Sequence, residues 1–404
     1  MTKTFALIKE RKTPPDRRVV FSPEKCVEIV KKFPHIRIIV ESSDIRVFPD
    51  EDYRNLGFEV LDDVSEADVM LGVKEVPIEH LIPNKKYFFF SHTIKEQPYN
   101  RGLLQAILEN KIELIDHETI VNAQNRRLIG FGYYAGLVGA YNGFRMLGLR
   151  DNLFELPKME TLATLSDAQH ALDQIVVPNL KIILSGTGKV TQGAKAVLNH
   201  LKIRQVDVDA YLTQEFDEPV YCLIGVEHYN KRVDGSAFDK QDFYANPLKY
   251  ESNFMRFAKV SDMFITGHFY GTDAPYLFTR EDARDPEFRI HLLADVSCDI
   301  DGPIAATIRP STIADPFYGY DPQTEKEVPY DTPGAIAVMA VDNLPCELPN
   351  DASVGFGEMF EAHVLPAFFN GDKDGILERA RITTAEGALT PNFAYLEDYV
   401  KTVV

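Results

Sequence analysis

The segment KIILSGTGKVTQGAKAVLNHL, residues 181–201, constrains the fold more than any other stretch of the chain. A β-branched strand runs into Gly186 and Gly188, and an amphipathic helix follows at once. Small residues at such a turn let backbone amides approach a pyrophosphate at a helix N-terminus. The pattern predicts a strand–turn–helix unit that binds a dinucleotide, with Gly186, Thr187, Gly188, Lys189 and Val190 as its phosphate loop. Thr191 stands where a third glycine is usual, and the next glycine, Gly193, comes two residues later. An acid about 20 residues on is expected at the adenosine ribose. Asp207 in RQVDVD takes that position, with Asp209 as second choice. An acid there favours NAD over NADP, but an aspartate in a solvated loop reads the same, so both coenzymes stay open.

The rest of the chain supports the same class. Phe5 to Ile8, Ile36 to Glu41, Asp68 to Val73, Tyr87 to Phe90 and Ile112 to Ile115 read as buried strands. Ser22 opens a helix in SPEKCVEIVKKF. Strands alternating with helices imply a parallel sheet covered on both faces. The run 181 to 310 restarts that alternation. At about 150 residues per domain, 404 residues favour two large domains. The expectation is α/β: two doubly wound Rossmann-like domains with an interdomain cleft. The first, 1–140 plus 325–404, carries substrate and catalysis; the second, 141–324, binds the dinucleotide. The glycine-rich helix near 130–148 joins them, the polar stretch PQTEKEVPYDTPG reopens the boundary, and the strand AIAVMAV packs back on the first domain.

A net charge of -18 repels phosphate backbones and anionic lipid, so neither nucleic acid nor a membrane surface is expected as a partner. The four cysteines have no CxxC spacing, and no signal-peptide core or spanning segment is seen, which reads as a reducing, cytoplasmic setting. A homo-oligomer stays open.

Ligands of open parallel sheets gather at the carboxyl ends of strands. DVMLGVKEVP puts Lys74 and Glu75 there, and YFFFSHTIKEQ puts His92 at the next strand end. An amine and an imidazole could thus converge. ERKTPPDRRVVFSP delivers Arg17 and Arg18, whose planar forks match a carboxylate. QNRRLIGFG offers Arg126 and Arg127 in the same way, and Glu118 in LIDHETI could receive an ammonium. HLLADVSCDIDGP ends a strand with Asp295, Asp299 and Asp301; without histidine or cysteine at ligand spacing, no metal is expected.

GVKEVP, FFSHTIKEQ, FGYYAG, SGTGKVTQGA, ADVSCDIDGPI and AVDNLPCELP, in that order, resemble the lysine-ketoglutarate reductase and lysine-forming saccharopine dehydrogenase family, relatives of alanine dehydrogenase. The resemblance runs over nearly the whole chain. It implies that the ε-amine of lysine is joined to 2-oxoglutarate and the imine reduced with NADH or NADPH, giving saccharopine reversibly. It further implies that Lys74 and His92 form the acid–base pair and that Arg18 and Arg126 bind substrate carboxylates. Glu75 and Glu118 would lie near the lysine amine, and Asp299 would match the catalytic aspartate of DxxxDxGG. Asp301 stands in place of the first glycine of that pattern. Alternatives within the reading are an alanine dehydrogenase-like enzyme and a dinucleotide-binding regulatory protein without turnover.

Overall fold

The computed structural model describes residues 2–271 and 273–401. The chain divides into two compact units, Met1–Phe131 with Pro349–Val404, and Gly132–Leu348.

Among the described residues, the first unit holds six strands: β1 (Lys3–Leu7), β2 (Ile36–Glu41), β3 (Glu59–Leu61), β4 (Val69–Leu71), β5 (Lys86–Phe89) and β6 (Glu113–Asp116). They pair in the order β3-β2-β1-β4-β5-β6, every neighbour parallel. This is the doubly wound order, with its switch point between β1 and β4. Strands buried on both faces read as unbroken apolar runs, and all of β4 is buried. The helix Pro23–Lys32 begins where expected, since the Ser22 side chain accepts from the Lys25 amide at 3.2 Å. The C-terminal segment completes the unit. The Val19 amide donates to Ser353 Oγ at 3.0 Å, and the Leu114 amide to Thr383 Oγ1 at 2.9 Å.

The second unit contains β7 (Lys181–Ser185), β8 (Arg204–Val206), β9 (Val220–Ile224), β10 (Asn230–Arg232), β11 (Tyr250–Ser252), β12 (Met263–Ile265), β13 (Leu292–Ala294), β14 (Phe317–Asp321), β15 (Lys326–Val328) and β16 (Ile336–Met339). Eight form one sheet, β15-β14-β16-β13-β12-β7-β9-β8, in which β14 alone runs against the other strands. The pair β10–β11 stands apart as an antiparallel hairpin.

Three expectations need correction. AIAVMAV does not return to the first unit: it forms β16, fully buried between β13 and β14. The chain crosses back at Pro349 rather than 325. PQTEKEVPYDTPG misled because its polarity belongs to a hairpin, with Glu325 at φ 57 and β15 at the sheet edge. Nor is the glycine-rich helix a connector, because Gly132–Arg150 lies wholly in the second unit and packs on the helix Lys189–His200. A Cβ at Gly136 would strike the Val190 carbonyl, and one at Gly193 the Tyr133 carbonyl. The displaced third glycine of the phosphate loop thus allows close approach of two helices. Among the described residues, no helix is long and apolar enough to cross a membrane.

Candidate active site and phosphate loop

In the first unit the strand ends bring several predicted residues together. Lys74 and Glu75 follow β4, His92 follows β5 and Glu118 follows β6, which are successive neighbours in the sheet. Glu75 is the hub. Its Oε1 lies 2.6 Å from His92 Nδ1, and its Oε2 accepts from Lys12 Nζ at 2.8 Å. Burial opposes ionisation of Glu75, but the hydrogen bonds from His92 and Lys12 outweigh it and hold the carboxyl down at about 2. An ionised carboxylate only accepts. His92 Nδ1 therefore carries the proton of this contact, which leaves Nε2 as the nitrogen available for proton transfer.

Lys74 is half-buried, and its backbone is fixed from the loop after β1. Glu10 accepts from the Val73 amide at 2.6 Å and from the Lys74 amide at 2.9 Å. Burial, with the negative charge of Asp16 adding to it, raises the Glu10 carboxyl to about 7. On the other side, Asp116 accepts from the Ser91 amide at 2.8 Å and so anchors the residue before His92. His117 is buried among Phe90, Phe356 and Phe360, and its Nε2 lies 2.8 Å from the Gly72 carbonyl. Burial lowers its pKa to about 4, so it is neutral and donates that bond. Sequence reasoning missed Glu10, Lys12, Asp16, Asp116 and His117 as members of this cluster. The first three lie in a loop it had singled out for arginines, but spacing does not reveal which charges pair.

The two arginine assignments fare differently from expectation. Arg18 is buried, with Nε 3.0 Å from Asp16 Oδ1 and Nη2 2.6 Å from Oδ2, and it stacks 4.2 Å over the Phe131 ring. Its fork already holds a carboxylate of its own chain. Arg126 is exposed at the tip of a turn, where its amide donates to Asn122 Oδ1 at 2.9 Å. Glu118 is met instead by Arg127 at 2.7 Å and Lys95 at 3.7 Å. Burial works against its ionisation, yet these cations hold its carboxyl below the ordinary value.

In the second unit, Gly186 takes φ 90 and touches Gly267, and Gly188 precedes the helix Lys189–His200. Among the described residues, nothing lies within 4 Å of where a Cβ at Gly188 would stand, so the space beside Gly188 is open. Thr187 and Lys189 are exposed beside it, and Val190 is the next helical residue. Thr191 is buried and donates to the Ser185 carbonyl at 3.1 Å, which stiffens the turn in place of a glycine.

Asp207 is a correction. It caps the helix Val208–Thr213, accepting from the Ala210 amide at 2.8 Å. Its strand, β8, is the sheet edge, and β9 stands between it and β7. Counting about 20 residues assumes that the second strand lies beside the first; here the third does.

Past β13, Asp295 is fully buried and accepts from Thr266 Oγ1 at 2.8 Å, Ser297 Oγ and Thr307 Oγ1 each at 2.6 Å. It organises the turn that carries Asp299, whose carboxyl is raised by burial and by the charge of Asp295. Asp301 adopts φ 50, the left-handed conformation in which the glycine of DxxxDxGG would be unstrained and an aspartate is tolerated.

Residues 6–138 match the family model for the alanine dehydrogenase/PNT N-terminal domain. Over 95% of this chain, the sequence is 28% identical to a mitochondrial alpha-aminoadipic semialdehyde synthase of Mus musculus, of which it covers 46%. The chain is thus similar to these synthases and also to saccharopine dehydrogenases. It is 24% identical to a saccharopine dehydrogenase [NAD(+), L-lysine-forming] of Candida glabrata, covering 91% of both chains. The chain spans about half the length of the synthases that it matches. Its fold is that of a solved L-alanine dehydrogenase, at TM-score 0.66 and 16% identity over 98% of this chain and 99% of that one.

Proposed function

We propose that the protein is an NAD(P)-dependent oxidoreductase of the saccharopine dehydrogenase type, which couples the lysine ε-amine with 2-oxoglutarate and forms saccharopine, reversibly. The observation that carries this reading is the Lys12–Glu75–His92 chain of contacts beside Lys74, at the carboxyl ends of β4 and β5.

An ammonium cannot attack a ketone, so a base must first take its proton, and an acid must later help water leave the carbinolamine. Lys74 and His92 are the pair for these transfers. Glu75 holds the His92 ring through Nδ1, so that Nε2 exchanges protons with the substrate. Glu10 fixes the Lys74 backbone, and Glu118 keeps negative charge where a cationic amine is bound. Arg126 is assigned to a substrate carboxylate, with Arg127 beside Glu118 as a further candidate, whereas the fork of Arg18 is taken by Asp16. Asp299 is assigned as the catalytic aspartate of the second unit. The open approach at Gly188 fits a pyrophosphate on Gly186, Thr187, Gly188, Lys189 and Val190. The nicotinamide, when bound, supplies or accepts the hydride.

The test follows NADH and NADPH absorbance with 2-oxoglutarate alone, with lysine added, and with pyruvate plus ammonium. Oxidation is expected only when lysine and 2-oxoglutarate are both present. Turnover with pyruvate and ammonium instead would move the protein to the alanine dehydrogenase reaction, and coenzyme binding without turnover to a regulatory role. Lys74→Met with His92→Gln is expected to lower turnover by about 10²- to 10⁴-fold or more while coenzyme binding stays near wild type. Wild-type turnover in that variant would remove both residues from the acid–base role.

A further inference from the structure

We propose that Glu227, not Asp207, is the residue that selects a coenzyme with a free ribose 2′-hydroxyl over one with a 2′-phosphate, making the protein NAD-preferring. The inference rests on the dinucleotide reading above and deepens it.

In a doubly wound sheet the discriminating acid follows the strand next to the glycine-loop strand, on the side away from the switch point. That neighbour is β9. Ser185 of β7 pairs with Ile224 of β9, and the Gly186 amide donates to the Ile224 carbonyl at 2.9 Å. Asp207 follows β8, one strand further out, and two strand spacings put it roughly 10 Å to the side of β7. The turn after β9 reads Gly225-Val226-Glu227.

Glu227 is exposed, and its carboxylate folds back over that strand end: a Cβ on Gly225 would lie 2.6 Å from both of its oxygens. The adjoining His228 Nδ1 is 3.6 Å away, but it already accepts the Gly225 amide at 2.9 Å and so carries no proton there. A neighbouring cation, Arg256, donates to the His228 carbonyl at 2.8 Å. The Glu227 carboxylate is thus left to accept from ribose hydroxyls and to repel a phosphate.

An aromatic cavity of about 220 Å³ opens beside it. Its wall includes Val226 and Tyr229 after β9 and His268, Phe269 and Leu277 after β12, the two strands that flank β7. A flat purine suits such a space, and His268 Nε2 is buried there without a hydrogen-bond partner among the described residues.

Direct binding of NADH and of NADPH to the full chain, by calorimetry or coenzyme fluorescence, tests this without requiring turnover. Wild type is expected to bind NADH more tightly. Glu227→Gln is expected to weaken NADH by about 10- to 100-fold and to leave NADPH unchanged or tighter, whereas Asp207→Asn, which keeps the helix cap, leaves their ratio as in wild type. Tighter binding of NADPH by wild type, an unchanged ratio in Glu227→Gln, or a ratio that moves with Asp207→Asn would each overturn the inference. Failure of wild type to bind either coenzyme would overturn the dinucleotide reading and this inference with it.

Discussion

Glu347 is buried to 3% exposure, bound through Oε1 to Asn142 at 2.9 Å, and its carboxyl is raised to about 7, first by burial. A carboxyl that is easier to protonate in the fold than in the unfolded chain stabilises fully below its ordinary value of 4.5 and loses that contribution as pH rises to about 7. Glutamine keeps the shape and the bond to Asn142 but does not titrate. Glu347→Gln is therefore expected to gain stability relative to wild type between pH 4.5 and 7.5, by on the order of 3 kcal/mol, read from urea unfolding at the two pH values. An equal offset at both would show that Glu347 stays ionised in the fold. Lys74, Glu75 and His92 were legible in the sequence because each directly follows an apolar strand, and strand ends are where such sheets work. Their partners were not, since Lys12 reaches Glu75 across 63 positions of chain. Arg18 shows the same limit: its type suggested a carboxylate, and the carboxylate it holds is Asp16.

The helices Gly132–Arg150 and Lys189–His200 meet through glycines, and this contact sets the position of the phosphate loop that starts the second helix. Gly193→Ala places a methyl group against the Tyr133 carbonyl. Such overpacking costs about 1–3 kcal/mol, so a lower melting temperature and weaker coenzyme binding are expected together, whereas Ala194, one residue on, already carries a methyl in a buried place. A Gly193→Ala protein with wild-type melting and binding would mean that the helices are not in this contact. The two small-residue runs were visible in the sequence, but nothing in it said that they faced one another. Strands were readable where apolar runs are buried on both faces, as in β1, β2, β5 and β7. The short edge strand β3, with Glu59 exposed, has no such signature. Overlooking β9, whose VYCLI is an apolar run, had the larger consequence, because it hid the strand order that moves Asp207 away from the loop.

At the scale of the whole molecule the second unit is inserted in the sequence of the first: Gly132–Leu348 is continuous, and the first unit is built from two separated stretches. The inserted unit has its own eight-stranded sheet and buried clusters on both faces, around Tyr141, Phe144 and Leu184 on one and Phe254, Phe264 and Tyr318 on the other. The first unit depends on its C-terminal stretch. Thr383 and Arg381 continue the sheet past β6, Ser353 holds the segment after Arg18, and Phe356 stacks on Phe131 at 4.6 Å. Residues 132–348 expressed alone are therefore expected to melt cooperatively and to bind NADH. Residues 1–131 alone are expected not to fold, because their sheet edge and one helical face would lack the partners that residues 349–401 provide. Cooperative melting of 1–131 by itself, or an unfolded 132–348, would show that the division of stability between the two stretches differs from the division of contacts.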